Sequence, residues 1–452
     1  MDALRSAASR FRLGKLTSLF SSASLGRAAG GAFLIRVASA AIAFLTQPLL
    51  ARWMGSDEFG IYAYVWTWAL LFGGMVDFGL STAAQRFIPE YHGRSSLALL
   101  RGFLSGSRWF TAAAATAAAL LAAAVIKTFE TSLDPNVVLP LYLACATLPF
   151  CGLAVTQDGI ARSYGWIGVA LLPLYIIRPI LILALVLAAY LYGLPATAVS
   201  VLFASVVASI LAVAGQWLII NGRLRETVAA GIRHYDFKTW IGASLPISIA
   251  GAFYFLLSYV DVLVLQIYRP PTDVAIYFAV QKLMALVAFV HFSIAATVAY
   301  RFSELRAGGE EGALAHFYAR SRRWTFWPSL AGVGVLLALG WPLLWLFGPE
   351  FVSGYFLIGI LAVGLMARAA VGPAERLLIM YGRQKACAVV YTVAFACNLA
   401  CCFVLIPRFG VEGAAVSTTL ALILESVVLF FLTRRQLTRT GAAGIRTVEG
   451  AV

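Results

Sequence analysis

A chain that returns again and again to apolar runs of about 20 residues has few ways to satisfy its backbone, because a helix of that length crosses about 30 Å of hydrocarbon. Residues 33–87 show the pattern at its plainest: two long apolar segments joined by a short polar turn at Gly55, Ser56, Asp57 and Glu58. This reads as a membrane helical hairpin. Comparable runs follow at approximate limits 104–126, 136–157, 166–190, 194–220, 240–266, 274–300, 324–347, 352–378, 384–406 and 410–432, after first spans at 29–54 and 58–85. The expected fold is an all-α polytopic membrane protein with about twelve transmembrane helices. With 61% hydrophobic and 12% charged residues, the chain departs from the make-up of soluble globules.

A net charge of +14 would point to nucleic acid in a soluble protein. Here the cations fall in alternate loops: with the N-terminus inside, roughly 26 Lys and Arg lie on one side and roughly 4 (Arg52, Lys127, Arg269 and Arg408) on the other. Topology accounts for the basicity, both termini are expected in the cytoplasm, and no nucleic-acid partner is implied. The outer loops are short, with no room for a folded domain outside. Residues 1–28 have the Arg- and Ser-rich character of a transit peptide, but their charge suits a cytoplasmic basic leader. All six cysteines lie in apolar spans without a CxxC pair, as small packing residues do.

The two halves repeat. Gly193, Ala198, Val199 and Ser200 answer Gly410, Ala415, Val416 and Ser417, and Tyr164 and Gly165 answer Tyr381 and Gly382, each about 217 residues apart (417 − 200 and 382 − 165). Six spans per copy make the repeats parallel, so two six-helix bundles are expected, 29–220 and 240–432, with a cytoplasmic linker 221–239 and a tail 433–452.

The pattern LLARWMGSDEFGIYAY, a membrane segment, then DFGLSTAAQRFIPEY resembles the N-terminal hairpin of Wzx-type lipid-linked oligosaccharide flippases. These belong to the MATE-like multidrug/oligosaccharidyl-lipid/polysaccharide exporter superfamily. The resemblance implies a transporter of the bacterial inner membrane. Its substrate would be a polyprenyl-diphosphate-linked oligosaccharide, such as an O-antigen or exopolysaccharide unit, and glycosyltransferases and a polysaccharide polymerase would be its working partners.

Charges inside apolar spans mark the candidate site, since each costs about 2.5–3.5 kcal/mol at mid-bilayer unless paired, hydrated or used. Arg36, Arg178, Lys282 and Arg368 are candidate anion-binding residues, and Arg in particular pairs bidentately with phosphate. For Arg36, snorkelling to the inner headgroups is the plain alternative. Asp261 and Lys282 flank a turn whose D-x-x-x-L and Y-x-x-x-x-K spacing resembles the flippase hairpin. They form either a site pair or a structural salt bridge. Glu425 is either a coupling carboxylate or the neutraliser of a neighbouring Arg, and Asp77 leans structural. His291 reads as a hydrogen-bonded packing residue. Pro48, Pro246 and Gly251 are candidate bending points.

Cations outnumber acids among the deepest charges, so a cavity holding them would favour an anion. The chain has no GxxxxGK, HExxH or GxSxG motif, so no enzyme activity and no bound cofactor are expected, only a coupling ion (H⁺ or Na⁺) or the membrane potential. The expected function is flipping from the cytoplasmic to the outer leaflet by alternating access. A cation-coupled multidrug or metabolite exporter of the same superfamily is the alternative. A membrane glycosyl polymerase or ligase, which needs a sizeable catalytic outer loop, is a more distant one.

Overall fold

The computed structural model describes residues 22–307 and 311–449, and every regular element among them is helical. In chain order these are α1 (Ser22–Met54), α2 (Ser56–Gly73), α3 (Leu80–Gly93), α4 (Leu97–Phe129), α5 (Pro135–Ser163) and α6 (Ile167–Leu191). After them come α7 (Ala198–Thr227), α8 (Phe237–Tyr268), α9 (Pro271–Ala307), α10 (Glu311–Trp345), α11 (Tyr355–Val371), α12 (Ala374–Met380), α13 (Gln384–Phe409) and α14 (Val411–Glu449). Among the described residues, 10 helices are long and apolar enough to cross a membrane, beginning at Leu97. The protein is a multi-pass membrane protein. Neither α1 nor the α2–α3 pair, read from the sequence as the first two spans, is among those 10. Most of the basic leader lies outside the described residues, and α1 is already helical at Ser22, before the boundary expected at residue 29. The expected tail at 433–452 has no boundary of its own either, because α14 continues through Thr433 to Glu449.

Several expected single spans are interrupted for local reasons. The second breaks between Gly73 and Leu80, where Gly79 takes a left-handed φ of 75° and the Asp77 carboxylate accepts from the amides of Gly79 (3.0 Å) and Ser81 (3.1 Å). A side-chain acceptor meets amides that the first turn of α3 would leave orphaned, so a new helix starts there. Asp77 therefore acts as a helix cap, a structural role, and not as the coupling or ion-pair partner also considered for it; the sequence already leans structural there. Within α6, Pro173–Ile177 form a π-helical turn just before the Arg178-Pro179 dipeptide. Proline supplies no amide donor, and a local widening of the helix relieves the mismatch. A similar break at Gly372 and Pro373 separates α11 from α12. By contrast α1 and α8 run through Pro48 and Pro246 as continuous helices.

The internal repeat shows in the backbone. Gly165 and Gly382 both have φ of 72°, and Gly193 and Gly410 have φ of 82° and 60°, each pair 217 residues apart (382 − 165 and 410 − 193). Positive φ at a helix end is a glycine conformation, so the same turns recur in both halves. Contacts also fall into two groups, α1–α7 and α8–α14, which meet where α2 packs on α8 and α9, α3 on α8, and α1 on α9.

At one end of the molecule the halves are sealed. A core of Phe59, Phe278, Phe347 and Phe351, all buried, joins α2, α9 and the segment after α10, with ring centroids 5.7–6.4 Å apart. Beside it the Arg52 guanidinium donates to the carbonyls of Leu346 (2.8 Å) and Trp345 (2.9 Å), tying α1 to the C-terminus of α10. The backbones approach so closely that a Cβ at Gly60 would lie 1.8 Å from the Pro271 carbonyl oxygen. Gly60→Leu is therefore expected to part α2 from α9. In a variant without native cysteines, Val274→Cys, at a buried position beside this contact, should resist maleimide in detergent solution and react at least about tenfold faster once Gly60→Leu is added. Equal rates would contradict the seal.

Candidate functional site

The apolar interior is crossed by polar groups, each placed by its helix. In the first half, the π-helical turn sets Arg178 at the start of the regular part of α6, where it is 8% exposed. Its guanidinium carbon stands 4.8 Å from the Trp66 ring centre, with Tyr62 and Gln47 alongside. Among the described residues Nε and Nη2 of Arg178 have no hydrogen-bond partner and no carboxylate forms an ion pair with it. The cation is thus held by aromatic faces, worth about 2 kcal/mol or more when desolvated, with donors left over. A small cavity of about 10 Å³ lies against it, lined also by Ser209 and Gln216.

Lys282 sits across the interface on α9, with Nζ 4.1 Å from the Phe278 ring centre. Between the two cations runs a row of rings: Trp66, Tyr62, Phe59 and Phe278, spaced 5.9–6.1 Å. The row passes from α2 of one half to α9 of the other, with a cation on each end ring.

Asp261 and Lys282, expected to pair, do not form an ion pair in the structure. Asp261 is fully buried and accepts from the Tyr277 hydroxyl (2.6 Å), the Thr418 hydroxyl (2.7 Å), the Gln281 amide nitrogen (2.8 Å) and the Val262 backbone amide (2.8 Å). Four donors satisfy the carboxylate without a cation and knit α8, α9 and α14 together. Tyr277 and Gln281 lie one helical turn apart on α9, so both reach the same acceptor. Lys282, next in sequence to Gln281, points elsewhere.

Deeper in the second half, Arg368 Nη2 lies 3.5 Å from Glu425 Oε1. Of the two readings open for Glu425, the neutraliser of a neighbouring arginine is the one realised geometrically. Arg368 also faces the rings of Tyr254 (5.5 Å) and Phe292 (5.9 Å), so it is a paired cation and not a free anion receptor. Together with Glu375, Tyr391 and His291 these groups border a cavity of about 10 Å³. His291, expected to be hydrogen-bonded, has Nδ1 without a partner among the described residues.

Arg36 belongs to α1, but its side chain lies outside the described residues. The candidate cations thus divide into separate places: Arg178 in the first half, Lys282 at the interface, and Arg368 with its own carboxylate in the second half. Sequence reading missed the aromatic row, although FGIYAYVW and IYF display it once α2 and α9 are known to touch. It also missed Thr418, which lies 157 residues from its partner Asp261, and Glu375, which borders the cavity beside Arg368. One face of α8 carries polar groups into the interior: Ser244 and Asp261 are fully buried and Tyr254 meets Arg368.

No curated relative matches the sequence. Among solved structures, the fold is similar to a multidrug resistance MATE family transporter of the MOP superfamily in an inward-facing conformation, with a TM-score of 0.77 and 13% identity over 89% of this chain and 96% of that one. It is also similar to the lipid II flippase MurJ in an inward closed conformation, with a TM-score of 0.71 and 14% identity over 90% of this chain and 89% of the other. An outward-facing MATE family transporter matches with a TM-score of 0.66 and 12% identity, over 91% of this chain and 94% of that one. The family model described as "Polysaccharide biosynthesis protein" matches residues 26–305. The chain accordingly belongs to that polysaccharide biosynthesis family and carries the fold of the MOP superfamily transporters.

Proposed function

We propose that the protein flips a polyprenyl-diphosphate-linked oligosaccharide from the cytoplasmic to the outer leaflet of the bacterial inner membrane, with both termini in the cytoplasm. The carrying observation is Arg178, a buried guanidinium of the first half that stacks on Trp66 of α2, with two donor atoms unpartnered among the described residues. In a low-dielectric setting such a group is a ready receptor for a diphosphate, which it can grip bidentately. Lys282, at the far end of the aromatic row, supplies a second positive charge from the other half. Family membership and the flippase among the structural neighbours favour this cargo.

The cycle we infer is alternating access. The sealed end, held by the phenylalanine core and the Arg52 contact, opens while the other end closes, so the headgroup passes between the halves and the lipid tail stays in the bilayer. Moving two negative charges outward against an inside-negative potential of about 100 mV is downhill by about 4.6 kcal/mol, at about 2.3 per charge. The potential suffices as a driving force, with H⁺ or Na⁺ exchange as an addition.

A second reading, cation-coupled export of a drug or metabolite, is favoured by the buried Glu425, which shares a small cavity with His291, whose Nδ1 has no partner among the described residues. On this reading vesicles take up cationic dyes in response to an ion gradient. On the flippase reading they do not.

In proteoliposomes, Arg178→Ala is expected to reduce flipping of a diphosphate-linked oligosaccharide at least about 100-fold with the helical circular dichroism unchanged, and Arg178→Lys to retain a fraction; wild-type rates in the alanine variant would refute the assignment. For Asp261, replacement by Ala leaves four buried donors without their acceptor and should cost about 3 kcal/mol or more, seen as a lower thermal midpoint. Lys282→Ala should leave that midpoint near wild type, whereas equal losses would restore the pair that the geometry separates.

A further inference from the structure

A large basic cavity lies away from the row of rings. Between the start of α4, the end of α7 and the linker after it is a cavity of about 760 Å³ lined by four arginines, Arg101, Arg108, Arg225 and Arg233, and by no acidic residue. Its volume is that of a small-ligand pocket. At its inner wall Arg108 is 7% exposed and lines the cavity. Nη1 of Arg108 donates to the Asn221 side-chain oxygen (2.6 Å) and the guanidinium faces the Trp217 ring at 5.8 Å, yet Nε and Nη2 have no hydrogen-bond partner among the described residues.

The rest of the cavity is built in place. The linker is strapped along α4: the His234 amide donates to the Ala98 carbonyl (2.9 Å), Arg101 Nη1 donates to the Ile232 carbonyl (2.8 Å), and Arg233 Nη1 reaches the Ser105 hydroxyl (3.3 Å). Arg101 keeps Nε buried and unpartnered, a second unsatisfied guanidinium in the same cavity. A buried guanidinium held on one nitrogen and free on two others is costly in an apolar protein unless an anion meets it.

We propose that this cavity is a binding site for the phosphate of an anionic membrane lipid of the cytoplasmic leaflet. The charge asymmetry of the loops assigns the cavity to the cytoplasmic end, where anionic headgroups concentrate and basic pockets between membrane helices recognise them. Lipid is favoured over a dissolved ion because the rim continues into exposed apolar surface: Trp109 on α4 is 66% exposed and Leu218 on α7 is 73% exposed. The phosphate would take the free donors of Arg108, Arg225 and Arg233 would close over it, and the acyl chains would lie along α4 and α7. The site is separate from Arg178 and does not depend on which cargo the transporter carries.

The test is native mass spectrometry of the full-length protein in non-ionic detergent, titrated with phosphatidylglycerol or with phosphatidylcholine. The expected result is one phosphatidylglycerol per chain, held at least about tenfold more tightly than phosphatidylcholine. Arg108→Gln should weaken retention about tenfold, the loss of roughly one charge-assisted hydrogen bond. Arg233→Gln, on the exposed linker, should weaken it several-fold, and Arg434→Gln at an exposed position of α14 should leave it unchanged. Equal affinity for the two lipids, or equal loss with Arg434→Gln, would overturn the proposal. So would displacement of the bound lipid by millimolar inorganic phosphate alone, which would assign the cavity to a dissolved anion.

Discussion

A charge inside a bilayer must be answered by something near it, and the polar interior of this protein is organised around the different answers its charges receive. Asp77 is met by backbone amides, Asp261 by three side chains and an amide, and Glu425 by Arg368. Lys282 and Arg178 rest on aromatic faces. The distribution is uneven. The most buried carboxylates are bonded, while Arg178 and Arg108 keep donors unused. What positive potential the interior offers to a ligand therefore comes from these arginines and from Lys282.

That unevenness also separates scaffold from site. Asp261 joins three helices of the second half, and removing its charge loosens packing. Arg178 is anchored through a π-helical turn and a stack on Trp66, neither of which depends on its hydrogen-bonding nitrogens. Its donors are consequently available to a ligand without disturbing what anchors the side chain. The same logic distinguishes Arg368, whose charge is answered by Glu425, from the cations still free to receive a phosphate.

Much of the architecture was legible because hydrocarbon imposes length and sidedness on sequence. The apolar runs correspond to the helices, and the glycines matched between halves adopt matching positive φ. Breaks inside runs were harder to read. GGMVDFG carries a glycine pair, an acceptor and a left-handed glycine, which together end one helix and start another, yet each is tolerated inside a span when alone. The pairing of Asp261 with Lys282 was read from the likeness of their hairpin to that of the flippase family. The geometry instead joins Asp261 to Thr418 and Arg368 to Glu425, across separations no local pattern records. The division of the cations among separate places was likewise invisible, because depth in a span says nothing about which face of the helix meets a neighbour.

One helix belongs to both halves. Trp240, in the first turn of α8, is fully buried against the first half, 5.1 Å from the Phe103 ring and hydrogen-bonded through Nε1 to the Tyr91 hydroxyl at 2.9 Å. About six turns later, Asp261 fastens the same helix to the second half. Relative rotation of the halves cannot then be absorbed by the loop that precedes α8, since both ends of the rod are clamped to different bodies. Under the alternating access proposed above, bending would fall on the stretch between the clamps, which holds Pro246 and Gly251, so α8 would flex as a leaf spring.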